Sequence, residues 1–399
     1  MSKIANSGSK RILLLFIISI NTISAMHSQN ISDNANYTQV NVAQVIERMR
    51  KHNFNPLNKD NSMTFDRTLN VAGIADMNNT DWQVRLLAVR DLVRAGNNNV
   101  KEIITGLSDS SEHVRQICAM ALGILRSNEA INSLEQIVRH DKNTMVRSQA
   151  VIALGQIEAR SSLSLLREKL TTDPSHDVKH QCELAIYQIE KQMGTTQEQL
   201  SAFINLDELS FNSVETGTMA PEFRLEDTDG KVWRLSQFQN EKWVVLIWVF
   251  TDWCPVCHGE FQDLMEIQDK FEKAGVQVFT LEAHDRYRGR VMVGKELDPS
   301  YWFAKTSFHE AYTEKIWWPH LLDRAGAVAA KYGADPLAFA VHAEYINRPT
   351  TVIIDKNGVV RLIYRGTFWG DRPTIEQTLK MIESEDFSFE HPDALKIIK

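Results

Sequence analysis

Apolar and small residues recur at one fixed spacing between residues 84 and 186. Four segments align without gaps: DWQVRLLAVRDL, SEHVRQICAMAL, NTMVRSQAVIAL and SHDVKHQCELAI. Val84, Val114, Val146 and Val178 are each followed by a basic residue. Four residues after each Val comes Ala88, Cys118, Ala150 or Cys182, and four further on comes Leu92, Leu122, Leu154 or Ile186. Positions i, i+4 and i+8 lie on one stripe of an α-helix, and the small central residue lets a neighbouring helix approach closely. A second apolar helix, such as the one carrying Ile131, Leu134, Ile137 and Val138, fills each interval. Helix pairs at a constant period predict an all-α solenoid over residues 80–193. Asp109, Asp141 and Asp173 stand five residues before the last three Val positions, where a helix-starting cap is expected. Val40 to Arg50 reads as a helix capping the array, within an otherwise Asn-rich segment 26–79.

The period then changes. Residues 194–219 are polar and read as a linker with one short helix. Phe223–Leu225 and Val232–Leu235 flank the turn Asp-Thr-Asp-Gly230, a hairpin signal. Trp243 to Phe250, WVVLIWVF, is apolar on both faces, as a central parallel strand requires. An amphipathic helix from Cys254 to Lys273 ends at Gly275, and Val276–Leu281 is a further strand. Thr351–Ile354 and Val359–Tyr364 form a second hairpin about Asp355–Gly358, and Ile375–Ile382 is a closing helix. These elements predict an α/β domain over 220–385, followed by a tail at 386–399. The long connection from Asp285 to Tyr345 is rich in rings: Tyr287, Tyr301, Trp302, Phe303, Phe308, Trp317 and Trp318. It reads either as a cover or groove beside the site, or as core packing onto the sheet or the solenoid.

The 399 residues suffice for more than one core, and a net charge of -7 gives no electrostatic case for nucleic acid. At the N-terminus Lys3, Lys10 and Arg11 precede the apolar run Ile12–Ile20 and the small-residue site Ile23-Ser-Ala25. This predicts a signal peptide at 1–25, with an uncleaved anchor as the alternative. No integral membrane span is expected beyond that segment. The protein is therefore expected to be extracytoplasmic, periplasmic or secreted, where disulfides persist. Cys118 and Cys182 share a register two repeats apart, too distant for a disulfide, and read as core residues.

Thr251–Phe261, TDWCPVCHGEF, holds the remaining two cysteines, and its letters fit four chemistries. Cys254 to Cys257 is a dithiol motif, and with His258 it also spells the attachment signal of a c-type haem. A Cys/Cys/His cluster could hold zinc. Thr251-x-x-Cys254 suits a peroxide-reducing cysteine. The context favours the dithiol. A strand end opening into a helix puts Cys254 at the helix N-terminus, where free N–H groups lower a thiol pKa. Pro255 suits the first turn, since its missing N–H would be unpaired there anyway. Cys254 is then the nucleophile and Cys257 the resolver. His258 is expected on a solvated side of the helix. No second CxxC completes a zinc site, so neither a metal nor another cofactor is expected.

These motifs carry two resemblances. The VRxxAxxALG pattern resembles the short HEAT-like repeats of the phycobilisome-lyase type, which implies a protein-binding surface or a wall on which a domain docks. APEFRLEDTDG, WVVLIWVFTDWCPVC and NRPTTVIIDKNG are similar to the redoxin branch of the thioredoxin superfamily, which includes the alkyl hydroperoxide reductase/thiol-specific antioxidant group. The implied architecture is a HEAT-like solenoid followed by an α/β thioredoxin-like fold. The resemblance implies a cis-proline at Pro349 facing the dithiol, with Trp253 and Thr350 as substrate-binding residues. FTDWCP also resembles the peroxiredoxin string, but that family wants a Pro where Ile247 stands and an Arg where Pro349 stands. LEAHD, AAKYGADP and YRGTFWGDRP are similar to the iodothyronine deiodinase branch, which implies proton relay by Glu282 and His284. The expected activity is thiol–disulfide exchange with a protein or small-molecule thiol or disulfide. A thiol peroxidase or deiodinase-like reductive enzyme is the alternative, with a haem carrier or a binding scaffold behind them.

Overall fold

In the computed structural model the described residues are 40–51, 81–296, 315–341, 343–366 and 372–389. The expected signal segment, most of 26–79, the rings Tyr301, Trp302, Phe303 and Phe308, and the tail beyond 389 lie outside them. The repeat pattern becomes paired helices: α1 (Val42–Lys51), α2 (Asp81–Ala95), α3 (Val100–Thr105), α4 (Glu112–Ile124), α5 (Ile131–His140), α6 (Thr144–Ile157), α7 (Leu163–Thr172) and α8 (His176–Lys191). Apart from half-buried Val84, every stripe residue is buried. Cys118 and Cys182 are core residues without a disulfide, and burial pushes both thiols up to about 12.

The aspartates do different work from that expected. The helix caps are Ser111, Asn143 and Ser175, two residues later. Each Asp instead accepts the cap residue's N–H, at 2.9 Å in all three repeats. Its carboxylate also takes an arginine from an earlier helix. Arg115 donates to Asp141 through Nε and Nη2 at 2.6 and 3.0 Å, and Arg147 to Asp173 at 3.0 and 2.9 Å. The Val-Arg signature is therefore a bidentate ladder stitching successive repeats. At its start Arg50 of α1 fills the place on Asp109, so α1 caps the array as its pattern implies. Arg85, at the ladder register of the first repeat, instead donates to Leu337 O of the second domain at 2.9 Å.

The linker contains α9 (Gln197–Ile204) and lies against the first repeat, where Arg94 donates to the carbonyls of Ile204 and Leu206, each at 2.9 Å. The second domain starts with the hairpin β1 (Arg224–Glu226) and β2 (Val232–Arg234). There follow β3 (Trp243–Trp248), α10 (Pro255–Glu266), α11 (Gln268–Lys273) and β4 (Val276–Glu282). The expected single helix thus breaks at Ile267, which leaves helical geometry at φ −120°. Then come α12 (Arg286–Met292), β5 (His320–Leu322), α13 (Ala327–Tyr332), β6 (Phe339–Val341), β7 (Glu344–Ile346), β8 (Thr350–Ile354), β9 (Val360–Arg365) and α14 (Ile375–Ser384).

Five strands form one sheet in the order β5-β4-β3-β8-β9. β3, β4 and β5 run parallel, while β8 and β9 are antiparallel. The apolar run of β3 is central and buried on both faces. Val245 and Ile247 pack under α10 and α14; Val244, Leu246 and Trp248 pack toward the first hairpin and α13. This is the α/β thioredoxin-like fold, preceded by the HEAT solenoid.

The described rings of the 285–345 connection pack into the core. Trp318 meets Phe261 edge-on at 5.1 Å and Trp317 Nε1 donates to Leu264 O at 2.9 Å. Tyr287 stacks on Tyr187 of α8 at 6.1 Å. The connection also supplies the β6–β7 hairpin, which rests on the solenoid: Tyr345 Oη donates to Gln116 Oε1 of α4 at 3.0 Å. Among the described residues no helix is long and apolar enough to cross a membrane.

Candidate active site

Thr350 pairs with Trp248 across β8 and β3, so the residue before it, Pro349, stands at the sheet end where the cysteine loop leaves β3. Cys254 is the N-cap of α10 and Pro255 its first residue, as the sequence indicates. Cys254 Sγ accepts from Cys257 N at 3.4 Å, and both thiols are buried and free of a disulfide.

The charge falls on the other cysteine. Cys257 Sγ accepts from Phe250 N at 3.4 Å and faces Arg372 Nη2 at 3.9 Å. Arg372 is anchored by the Trp248 carbonyl and by Glu260, one helical turn beyond Cys257. Burial raises the Cys257 thiol, but the donating Cys254 thiol, the guanidinium and the backbone N–H groups of Phe250 and Thr251 outweigh it and bring it to about 6. Cys254 moves well above the usual thiol range, through burial and because it would have to ionise beside a thiolate. The helix terminus gives Cys254, the expected nucleophile, one N–H at 3.4 Å, while Cys257 has both the Phe250 N–H and the Arg372 guanidinium within reach.

His258 also departs from expectation. It is 2 % exposed, not solvated, and its Nε2 donates to Asp252 O at 2.6 Å. Burial lowers its pKa, so the ring is held neutral as part of the loop.

Behind the cysteine loop lies a buried polar network. Arg288 of α12 holds Asp252 and Glu344 together, donating to Asp252 Oδ2 and Glu344 Oε2 at 2.6 and 2.8 Å. Trp253 Nε1 donates to Glu344 Oε1 at 2.9 Å, so the ring next to Cys254 is tied to β7. His284 Nε2 approaches Glu344 Oε2 at 3.4 Å, and its Nδ1 lies 3.8 Å from Glu282 Oε2. His320 Nε2 closes the far side at 3.4 Å from Glu282. Burial opposes every charge here, yet the two histidines bring Glu282 down to about 2. Glu344 and Glu282 lift His284 to about 9, against burial and Arg288. Glu282 and His284 are therefore brought within 3.8 Å of each other, beyond hydrogen-bond range; the contacts toward the cysteines run through Glu344 and Trp253. Thr350 is buried, with Oγ1 donating to Arg348 O at 3.0 Å.

Sequence reasoning missed Arg372, Glu260, Asp252, Arg288 and Glu344. Glu260 was detectable as the acidic residue three positions after Cys257, on the same helix face. Arg372 lies in the YRGTFWGDRP stretch, but nothing local ties it to a sulfur more than a hundred residues earlier. Among the described residues no group of His, Cys, Asp and Glu is arranged to hold a metal ion.

The AhpC/TSA family model matches residues 216–363. Peroxiredoxin Q of Suaeda salsa chloroplasts is 30% identical over 173 residues, covering 43% of this chain and 69% of that protein. The chain belongs to the AhpC/TSA family. Thiol-disulfide oxidoreductase ResA of Geobacillus thermodenitrificans is 29% identical over 171 residues, covering 43% of this chain and 80% of that protein. The HEAT-repeat model matches residues 74–148 of this AhpC/TSA protein, and the PBS lyase HEAT-like repeat matches 146–172. Among solved structures, a reduced 2-Cys peroxiredoxin of Plasmodium vivax is 19% identical, with a TM-score of 0.34 over 43% of this chain and 96% of that one.

Proposed function

We propose that this AhpC/TSA-family protein is an extracytoplasmic thiol–disulfide oxidoreductase whose Cys254–Cys257 pair cycles between dithiol and disulfide. The observation that carries the reading is the placement of both sulfurs in one helical turn, with Arg372 beside Cys257. The Cys257 thiolate attacks a substrate disulfide and displaces one thiolate, which takes up a proton. Cys254 then loses its proton and attacks Cys257, releasing the second substrate thiol and leaving the Cys254–Cys257 disulfide. Pro349, at the end of the sheet, shapes the approach, with Trp253 and Thr350 beside it. Glu282 and His284 are proton-handling groups that act through Glu344. The array's partner-binding role falls to its outer helices α5 and α7, because α4 and α8 contact the redox domain.

The test is a trap. Cys254→Ser removes the resolver, so a mixed disulfide with insulin or a lysate thiol protein accumulates on Cys257. Accumulation on Cys257→Ser instead reverses the order of attack. Failure of both variants to trap, with no insulin reduction by the unaltered protein, rejects the reading.

One observation favours a second reading, a thiol peroxidase: a guanidinium held by a carboxyl stands beside a single low-pKa thiol. The relatives named peroxiredoxin Q point the same way. There Cys257 would take one peroxide oxygen as sulfenic acid, releasing the alcohol, and Cys254 would expel water to form the same disulfide. Peroxide consumption lost in Cys257→Ser but retained for one turnover in Cys254→Ser selects this reading.

A further inference from the structure

A cleft lies between the solenoid and the redox domain, with neither sulfur in its lining. Its empty volume is about 740 Å³ with the open solvent at its mouth included. Its two walls differ. The solenoid wall sets Ile124, Ile152 and Leu184, from three successive repeats, among the amides of Gln149, Gln156, Gln181 and Gln188. The redox-domain wall carries Arg324, Asn347 and His284, with Leu337 at its apolar margin.

Two groups on the second wall are poorly satisfied. Asn347 is 0 % exposed, yet neither its Oδ1 nor its Nδ2 has a hydrogen-bond partner. A buried amide left in that state costs free energy unless something completes it. Arg324 is 7 % exposed, and its carboxylate partner is Asp285 Oδ2 at 3.6 Å, beyond hydrogen-bond range. The other oxygen of Asp285 is taken by the N-terminus of α12, accepting from Tyr287 N and Arg288 N. Gln156, with its amide oxygen turned toward Arg324, is a neutral acceptor for Nε at 3.2 Å and for Nη2, so the guanidinium has a hydrogen-bond partner but no carboxylate within hydrogen-bond range. Arg288 and His284, the other cations here, are already committed to Glu344.

We infer that the cleft is a binding site for a small monocarboxylate with an apolar body. Its carboxylate would complete Arg324 and the Asn347 amide, and its body would lie against Ile124, Ile152 and Leu184. One charge is the fit. A dianion would place its second charge beside Asp285 and Glu344 on the same wall, and a neutral analogue would leave Arg324 as it stands. An amphiphilic cleft at a domain boundary with a few convergent polar groups is the usual form of a small-molecule site. The inference is independent of the sulfur chemistry.

The test is calorimetric titration of the full chain with benzoate, and in parallel with benzyl alcohol and phthalate. Saturable one-to-one binding of benzoate is expected, with the neutral and dianionic probes at least tenfold weaker. Ile152→Trp, a half-buried position on the solenoid wall, fills the cleft and abolishes benzoate binding while the far-UV spectrum is retained. Asn347→Leu weakens benzoate at least tenfold. The inference is overturned if benzoate gives no saturable binding, if phthalate or benzyl alcohol binds equally well, or if folded Ile152→Trp keeps the benzoate affinity.

Discussion

Gln181 of the solenoid helix α8 donates from Nε2 to Glu344 Oε2 of the redox domain at 3.0 Å, across 163 residues of sequence. The same carboxylate receives Arg288 and Trp253, the residue before Cys254. The solenoid is therefore bonded to the group that fixes the cysteine loop. Gln181→Leu keeps the bulk and leaves Glu344 one donor short, which costs about 1–3 kcal/mol. Glu344→Gln takes the charge from a buried ion pair and costs about 3–5 kcal/mol. Urea unfolding followed by tryptophan fluorescence measures both. A Gln181→Leu midpoint equal to that of the unaltered protein would refute the bridge.

Arg372 favours a thiolate at this site, with Nη2 3.9 Å from Cys257 Sγ. Together with the Cys254 thiol as donor, it brings the Cys257 thiol to about 6 against burial. Arg372→Met removes the cation and leaves burial unopposed by it, so the titration moves upward by more than one pH unit. Absorbance at 240 nm against pH, corrected with Cys257→Ser, reads the shift. A curve unmoved by the substitution would assign the low value to hydrogen bonds alone.

The Glu282–His284 pair gives a pH signature. His284 rises from its ordinary 6.5 to about 9 on folding, so its stabilisation is complete below 6.5 and disappears as pH climbs through 9. Glu282 falls from 4.5 to about 2, so its stabilisation is complete above 4.5 and disappears as pH falls through 2. Between 6.5 and 9 the histidine contribution dominates the pair, and the loss amounts to about 3 kcal/mol. Unfolding free energies measured across that window should show the decline in the unaltered protein and a flatter profile in His284→Gln.

The sequence carried different parts of this molecule with unequal clarity. The solenoid was legible because its stripe is local: Val146, Ala150 and Leu154 sit on one helix, and a helix writes its period into consecutive residues. The central strand and the cap position of Cys254 were legible for the same reason. The Asp positions were misread because a short acidic side chain before a helix suits both a cap and a turn, and only the arginine from the preceding repeat separates the two. Glu344 and Arg372 were invisible for a related reason. Arg372 acts on residues more than a hundred positions away and Glu344 on residues 56 to 163 positions away, and a single sequence holds no record of that proximity.

Gly123 tests how tightly the repeats are stacked. A Cβ there would meet the end of the Gln156 side-chain amide and come within 2.9 Å of the Ala153 Cα. The glutamine can swing away, but the backbone of α6 cannot, so Gly123→Ala forces α4 and α6 apart. In an open helix this substitution would gain about 1 kcal/mol from propensity. Overpacking of a close contact costs about 1–3 kcal/mol, and the backbone clash places this site toward the upper end, so the net effect is destabilising. Gly123→Ala combined with Gln156→Ala should recover only the part due to the side chain and stay less stable than Gln156→Ala alone. Thermal unfolding of the four proteins gives that cycle, and a stabilised Gly123→Ala would mean that the two helices stand further apart than their contacts indicate.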